Sequence, residues 1–127
     1  MLRIGHAGAD VLLTGDITVA EELDILSRTP HLQVHGLYAA HHGSLTSTSP
    51  AWLNALQPQW VFMQAGWRNA FGHPAKQVTD RLNERHIPWY NSPQCGALSW
   101  QSASPKLVQC HRMHQKRYWQ IDKSPTN

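Results

Sequence analysis

The chain has 127 residues, 41% of them hydrophobic and 15% charged. That is enough apolar material for one domain with its own core, it excludes a disordered segment, and no apolar run nears the ~20 residues of a membrane span. The net charge of +3 comes entirely from residues 106–127, where Lys106, Arg112, Lys116, Arg117 and Lys123 face Asp122, so any general attraction for phosphate is confined to a short tail, where solubility is the competing explanation.

The elements alternate between strand and helix, which is the α/β signature. Val11–Thr14 reads as a buried strand ending at Gly15-Asp16. Thr18 is placed to cap a helix over 19–28, with Glu21 completing a capping box, and Val19, Leu23 and Leu26 form the apolar face. A strand over 37–40 delivers the chain to His41-His42-Gly43-Ser44. Ser49-Pro50 starts a helix over 50–56, as an N-cap followed by the favoured first-turn proline. A strand over 60–65 leads through a Gly66–Gly72 loop to His73-Pro74. Ala75, Val78 and Leu82 share one face of a helix over 74–85. Further strands are predicted near 2–4, 88–91, 97–101 and 107–110. No basic start leads into an apolar stretch of the secretory kind, so the segment is expected to be soluble. Cys95 and Cys110 are too few for a disulfide framework and lack the spacing of a metal knuckle, so they assign no compartment. At least three of Trp52, Trp60, Trp67, Trp89 and Trp100 are expected in the core.

Functional groups of α/β folds gather at the carboxyl ends of strands. Three polar clusters fall at such positions here: Gly15-Asp16, His41-His42-Gly43-Ser44, and Asn69–His73. A carboxylate and two or three imidazoles on neighbouring loops have the chemistry of a His/Asp metal site. Each signal alone has a plain structural reading: Asp16 as a helix cap, His73-Pro74 as a turn, Ser44 and Thr46 as partners of loop backbone groups rather than of an anionic oxygen. Their placement on successive strand–helix units favours a site. The remaining histidines, His6, His31, His35, His86, His111 and His114, are read as surface residues.

The strings Leu-Leu-Thr-Gly-Asp (12–16), His-His-Gly-Ser (41–44) and Asn-x-x-Gly-His-Pro (69–74), in this order, resemble the metallo-β-lactamase-like domain of the ComEC family, the membrane channels of DNA uptake in natural transformation. The resemblance runs from about residue 2 to 98. It implies a four-layer αββα sandwich, a di-metal cleft and metal-dependent phosphodiesterase chemistry. Asp16 would be the bridging carboxylate, His41 or His42 the late histidine ligand, and His73 a ligand or a phosphate-contacting or proton-transferring group. Asp16, His42 and His73 are thus the expected catalytic residues, and Ser44 and Asn69 the expected substrate contacts.

Such domains open with a His-x-Asp-x-Asp-His or His-x-His-x-Asp-His motif, and neither string occurs in these 127 residues. The expected assignment is therefore the carboxyl-terminal half of the domain over residues 1–105, with a terminal strand and basic aromatic tail over 106–127. The tail's Tyr118 and Trp119 would stack on unpaired bases. A divalent metal, zinc or manganese, belongs to the intact domain, and the isolated chain is expected to be inactive as a nuclease. The implied partners are single-stranded DNA, the remainder of a parent protein in the bacterial inner membrane, and a second copy of the chain through an exposed sheet surface. A non-catalytic DNA-binding or scaffolding module is the alternative, and a lactonase- or glyoxalase-type hydrolase is a third reading, because fold does not fix substrate.

Overall fold

Five strands share one mixed sheet, and their alternating side chains feed two different cores. In the computed structural model, which describes residues 1–115, the strands are β1 (Leu2–His6), β2 (Ala9–Leu13), β3 (Gly36–Tyr38), β4 (Trp60–Met63) and β5 (Trp89–Asn91), in that spatial order. The β1–β2 pair is an antiparallel hairpin, turned at Ala7-Gly8, both with positive φ, as a type I′ hairpin loop requires. Strands β2 to β5 run parallel. Helices α1 (Val19–Arg28), α2 (Pro50–Leu56) and α3 (Lys76–Glu84) make the crossovers. The short helix α4 (Ser92–Cys95), the two-stranded ribbon β6 (Leu98–Trp100) and β7 (Val108–Cys110), and α5 (His111–His114) follow. The fold is α/β, as expected.

Leu12, Leu37 and Val61 lie side by side in register and pack with Trp52, Leu53, Leu56, Val78 and Leu82 of the helices. Each such side chain contributes about 1.5–3 kcal/mol by leaving water. One position along, Val11, Trp60 and Phe62 form a second cluster with Cys95, Cys110, Trp100 and Val108. The Trp60 indole lies over Gly36, where a Cβ would stand 2.1 Å from the ring, so only glycine fits there. Trp52 and Trp60 are buried, Trp89 and Trp100 are half-buried against the two clusters, and Trp67 is exposed.

The caps read from the sequence are present. The Thr18 N–H donates to the Glu21 carboxylate at 2.7 Å, which also holds the Glu21 acid below its ordinary value through the Thr18 backbone and hydroxyl hydrogen bonds. Ser49 Oγ accepts from the Trp52 N–H at 3.1 Å. The structure also adds details that the sequence reading did not contain. Helix α3 starts at Lys76 rather than Pro74, because Ala75 stays extended and its N–H donates to the Gly43 carbonyl at 2.9 Å. Leu23 is half-exposed, and the α1 face buries Glu22 instead. His35 is half-buried and lies 3.3 Å from Asp10, which also pairs with Arg3. Cys95 and Cys110 are joined by a disulfide linking α4 to the end of β7. Lys116, Arg117, Tyr118, Trp119, Asp122 and Lys123 lie outside the described residues.

Among the described residues no helix is long and apolar enough to cross a membrane.

Candidate functional site

The three polar loops leave the carboxyl ends of β2, β3 and β4, which are neighbouring parallel strands, and backbone hydrogen bonds stitch them together. The His41 N–H donates to the Gly15 carbonyl at 3.0 Å, joining the Asp16 loop to the histidine loop. The Ala75 N–H donates to the Gly43 carbonyl, joining the histidine loop to the His73 loop. Thr14 leaves the β2 ladder and donates its hydroxyl to the Tyr38 carbonyl at 2.7 Å, which fixes the point where the Asp16 loop departs.

The histidine loop takes an uncommon path. His41 (φ 49°) and His42 (φ 58°) are both left-handed, followed by Gly43 at φ 81°. Non-glycine residues in this region carry a steric cost of about 1–2 kcal/mol each, and such conformations cluster at functional sites. The turn is held by the Ser44 N–H to the His41 carbonyl (2.9 Å) and by the Ser47 hydroxyl to the Ala40 carbonyl (2.7 Å). Gly43 also has no room for a side chain, since a Cβ would stand 2.9 Å from both Met63 Sδ and Pro74 Cβ.

Asp16 and His42 line one cleft of about 430 Å³, floored by Leu13, Tyr38 and Phe62 and closed at the side by Gln64. Burial raises the Tyr38 phenol above its ordinary value, so it remains a neutral hydroxyl at physiological pH. His73 stands beside this cleft, its ring 5.9 Å from that of His41, which is in turn 6.2 Å from that of His42. Burial, followed by the neighbouring His41 and His42 charges, lowers the His73 pKa below 6.5. Its imidazole is therefore neutral at pH 7, and its buried Nδ1 has no hydrogen-bond partner among the described residues.

Ser44 and Asn69, the expected substrate contacts, both bond within their own loops. Ser44 is buried, and its hydroxyl is 3.0 Å from that of Thr46. Asn69 ties the loop to itself: its amide donates to the Gly66 (3.0 Å) and His73 (2.6 Å) carbonyls, and its Oδ1 accepts the His73 N–H at 2.8 Å. Asn69 thereby sets the position of His73, whose peptide bond to Pro74 is cis. Tyr38 and Gln64 are cleft residues that sequence reasoning missed: both fall inside the predicted strands 37–40 and 60–65, whereas β3 ends at Tyr38 and β4 at Met63.

Two side chains of metal-binding type line the cleft. Asp16 and His42 supply two donors to the cleft, and among the described residues no three His, Cys, Asp or Glu side chains gather closely enough to hold a metal. A catalytic zinc takes about three protein ligands and keeps one position open.

No family model matches the chain. It is 34% identical over 122 residues to Competence protein ComA of Neisseria gonorrhoeae, covering 94% of this chain and 18% of that protein. It is 29% identical over 100 residues to ComE operon protein 3 of Bacillus subtilis (strain 168), covering 79% of this chain and 13% of the relative. Over 97 residues it is 29% identical to the uncharacterized protein YcaI of Escherichia coli (strain K12), covering 76% and 13%. The chain thus spans less than a fifth of the length of each of these relatives, and what it is similar to is one segment of larger proteins, among them a competence protein.

Proposed function

We propose that this chain is part of a ComEC-like DNA-internalisation protein and forms the carboxyl-terminal half of a metallo-β-lactamase-like phosphodiesterase domain. The observation that carries the reading is the cleft shared by Asp16 and His42 at the carboxyl ends of adjacent parallel strands, with neutral His73 beside it. The similarity of nearly the whole chain to a protein named for competence supports DNA as the substrate class. In the larger protein a zinc or manganese ion would lower the pKa of a bound water towards neutrality and so supply hydroxide. This chain contributes only Asp16 and one or two histidines to such a centre, and alone it lacks the ligands to hold an ion firmly.

The half of a sandwich that this chain forms covers one sheet face with helices and part of the other with the β6–β7 ribbon. On the rest of the second face the cleft floor keeps Leu13 and Tyr38 half-buried, and Leu2 and Ile4 of β1 are exposed. That open floor is where the remainder of the domain, and the DNA strand, would sit.

The test is a cleavage assay with labelled single-stranded oligonucleotide, the 127-residue chain, and added manganese or zinc. The reading predicts little or no cleavage by the chain alone. Rapid metal-dependent cleavage that Asp16→Ala abolishes would overturn the view of the site as incomplete, while keeping Asp16 in it.

A further inference from the structure

A file of aromatic rings leads out of the cleft into solvent. From His42 the rings of His41, His73 and Phe71 follow one another at centroid distances of 6.2, 5.9 and 5.9 Å. The last pair is nearly parallel, with 19° between the planes. Phe71 ends the file with 83% of its surface exposed, and Trp67 on the same loop is 61% exposed. The Arg68 guanidinium lies 5.9 Å from the Trp67 ring centroid. A groove of about 410 Å³ runs along this loop, bounded by Trp67, Arg68, His73, Pro93 and Gln94.

The loop is stiff where it matters. Asn69 bonds to both Gly66 and His73, and the Gly72 N–H donates to the Asn69 carbonyl at 3.2 Å. An exposed phenyl ring gives up the stabilisation that burial would provide. Here a pre-ordered loop, which also carries Arg68 over Trp67, holds it outward anyway and in line with the histidines.

We propose that Phe71, with Trp67 and Arg68, is a stacking platform that takes an unpaired base of single-stranded DNA and sets the adjoining phosphate at the His41/His42/His73 cluster. The choice of DNA rests on the function proposed above; the choice of a single strand rests on the geometry. Base faces are free to stack on aromatic side chains only when unpaired, and an arginine beside the rings meets the backbone charge. Duplex DNA keeps those faces buried in its own stack.

The experiment is fluorescence anisotropy of the full 127-residue chain with a labelled thymine oligonucleotide, the same-length oligomer lacking bases, and a duplex. Phe71→Ala should weaken binding to the base-carrying strand about five- to tenfold, within the range for one lost base stack. It should leave binding to the abasic strand unchanged within twofold, and Phe71→Trp should restore the loss. Arg68→Ala should reduce the log–log salt slope by about 0.7, the value for one phosphate contact on a single strand. Wild-type binding that is equal in Phe71→Ala, or lost equally for the abasic strand, overturns the platform and leaves the DNA reading standing. No binding to any strand by the wild-type chain overturns both.

Discussion

The N–H of His41 donates to the carbonyl of Gly15 at 3.0 Å, and this bond decides how the loop carrying Asp16 faces the loop carrying the histidines. His41 can reach it because its backbone is left-handed, as is that of His42. Gly43 follows, also at positive φ, where a Cβ would stand 2.9 Å from Met63 Sδ and from Pro74 Cβ. Gly43→Ala should cost about 2 kcal/mol or more, from the positive φ and the crowded Cβ together. A urea-denaturation midpoint within error of wild type would show that the loop does not need its present path.

Glu22 is fully buried on α1, and its carboxylate accepts the N–H groups of Thr48 and Ser49 at 2.5 and 3.0 Å. These bonds anchor the chain just before α2 and behind the histidine loop. Glu22→Ala leaves two buried donors unsatisfied, each worth about 1–3 kcal/mol. A loss of about 2–4 kcal/mol is expected by chemical denaturation; a change below 0.5 kcal/mol, roughly the scatter of an exposed substitution, would count against this anchoring role.

Asp10 makes a pH-dependent contribution at the opposite end of the sheet. Burial alone would raise its pKa, but hydrogen bonds from Arg3 and His35 and the Arg3 charge outweigh it, and the acid sits below 3.8. A depressed folded value stabilises the fold above the unfolded value, and the gain disappears as pH falls through the folded one. The stability difference between wild type and Asp10→Asn should therefore be constant at neutral pH and shrink below about pH 3.8. A difference that persists undiminished at pH 2 would mean that the Asp10 charge is not its source.

The Cys95–Cys110 disulfide closes a loop with a sequence separation of 15 and ties the β6–β7 ribbon to α4. Chain-entropy reasoning gives about 3 kcal/mol for a loop of this size. Cys95→Ser with Cys110→Ser should lower stability by about 2–3 kcal/mol, read by thermal and urea unfolding of the oxidised wild type against the double variant. Equal stability would mean that the second core holds the ribbon unaided.

Local signals were legible in the sequence where the physics is local. Thr18 with Glu21, and Ser49 with Pro50, mark helix starts within four residues of chain, and both caps form. The three polar loops could be placed at strand ends because short apolar runs precede each. What escaped depends on partners far along the chain. Glu22 looks like a solvent-facing acid until Thr48 and Ser49, 26 and 27 residues on, bring their N–H groups to it. His35 looks superficial until Asp10, 25 residues back, lies beside it. Asn69 ties its own loop together through bonds to Gly66 and His73, a role the sequence did not announce. His42 is among the expected catalytic residues, but the sequence leaves the histidine ligand open between His41 and His42, because which of them meets the cleft follows from two consecutive left-handed residues that no propensity foretells.

The central claim is that Asp16 and His42 form one incomplete cation-binding cleft. It is tested most directly by titrating the 127-residue chain with manganese and following the free-ion signal by electron paramagnetic resonance. The account predicts one weak site, reduced at least tenfold in affinity by Asp16→Ala and by His42→Ala, and unchanged by His86→Ala at an exposed position away from the cleft. Binding that is indifferent to Asp16 and His42, or no binding by the wild-type chain, would contradict it.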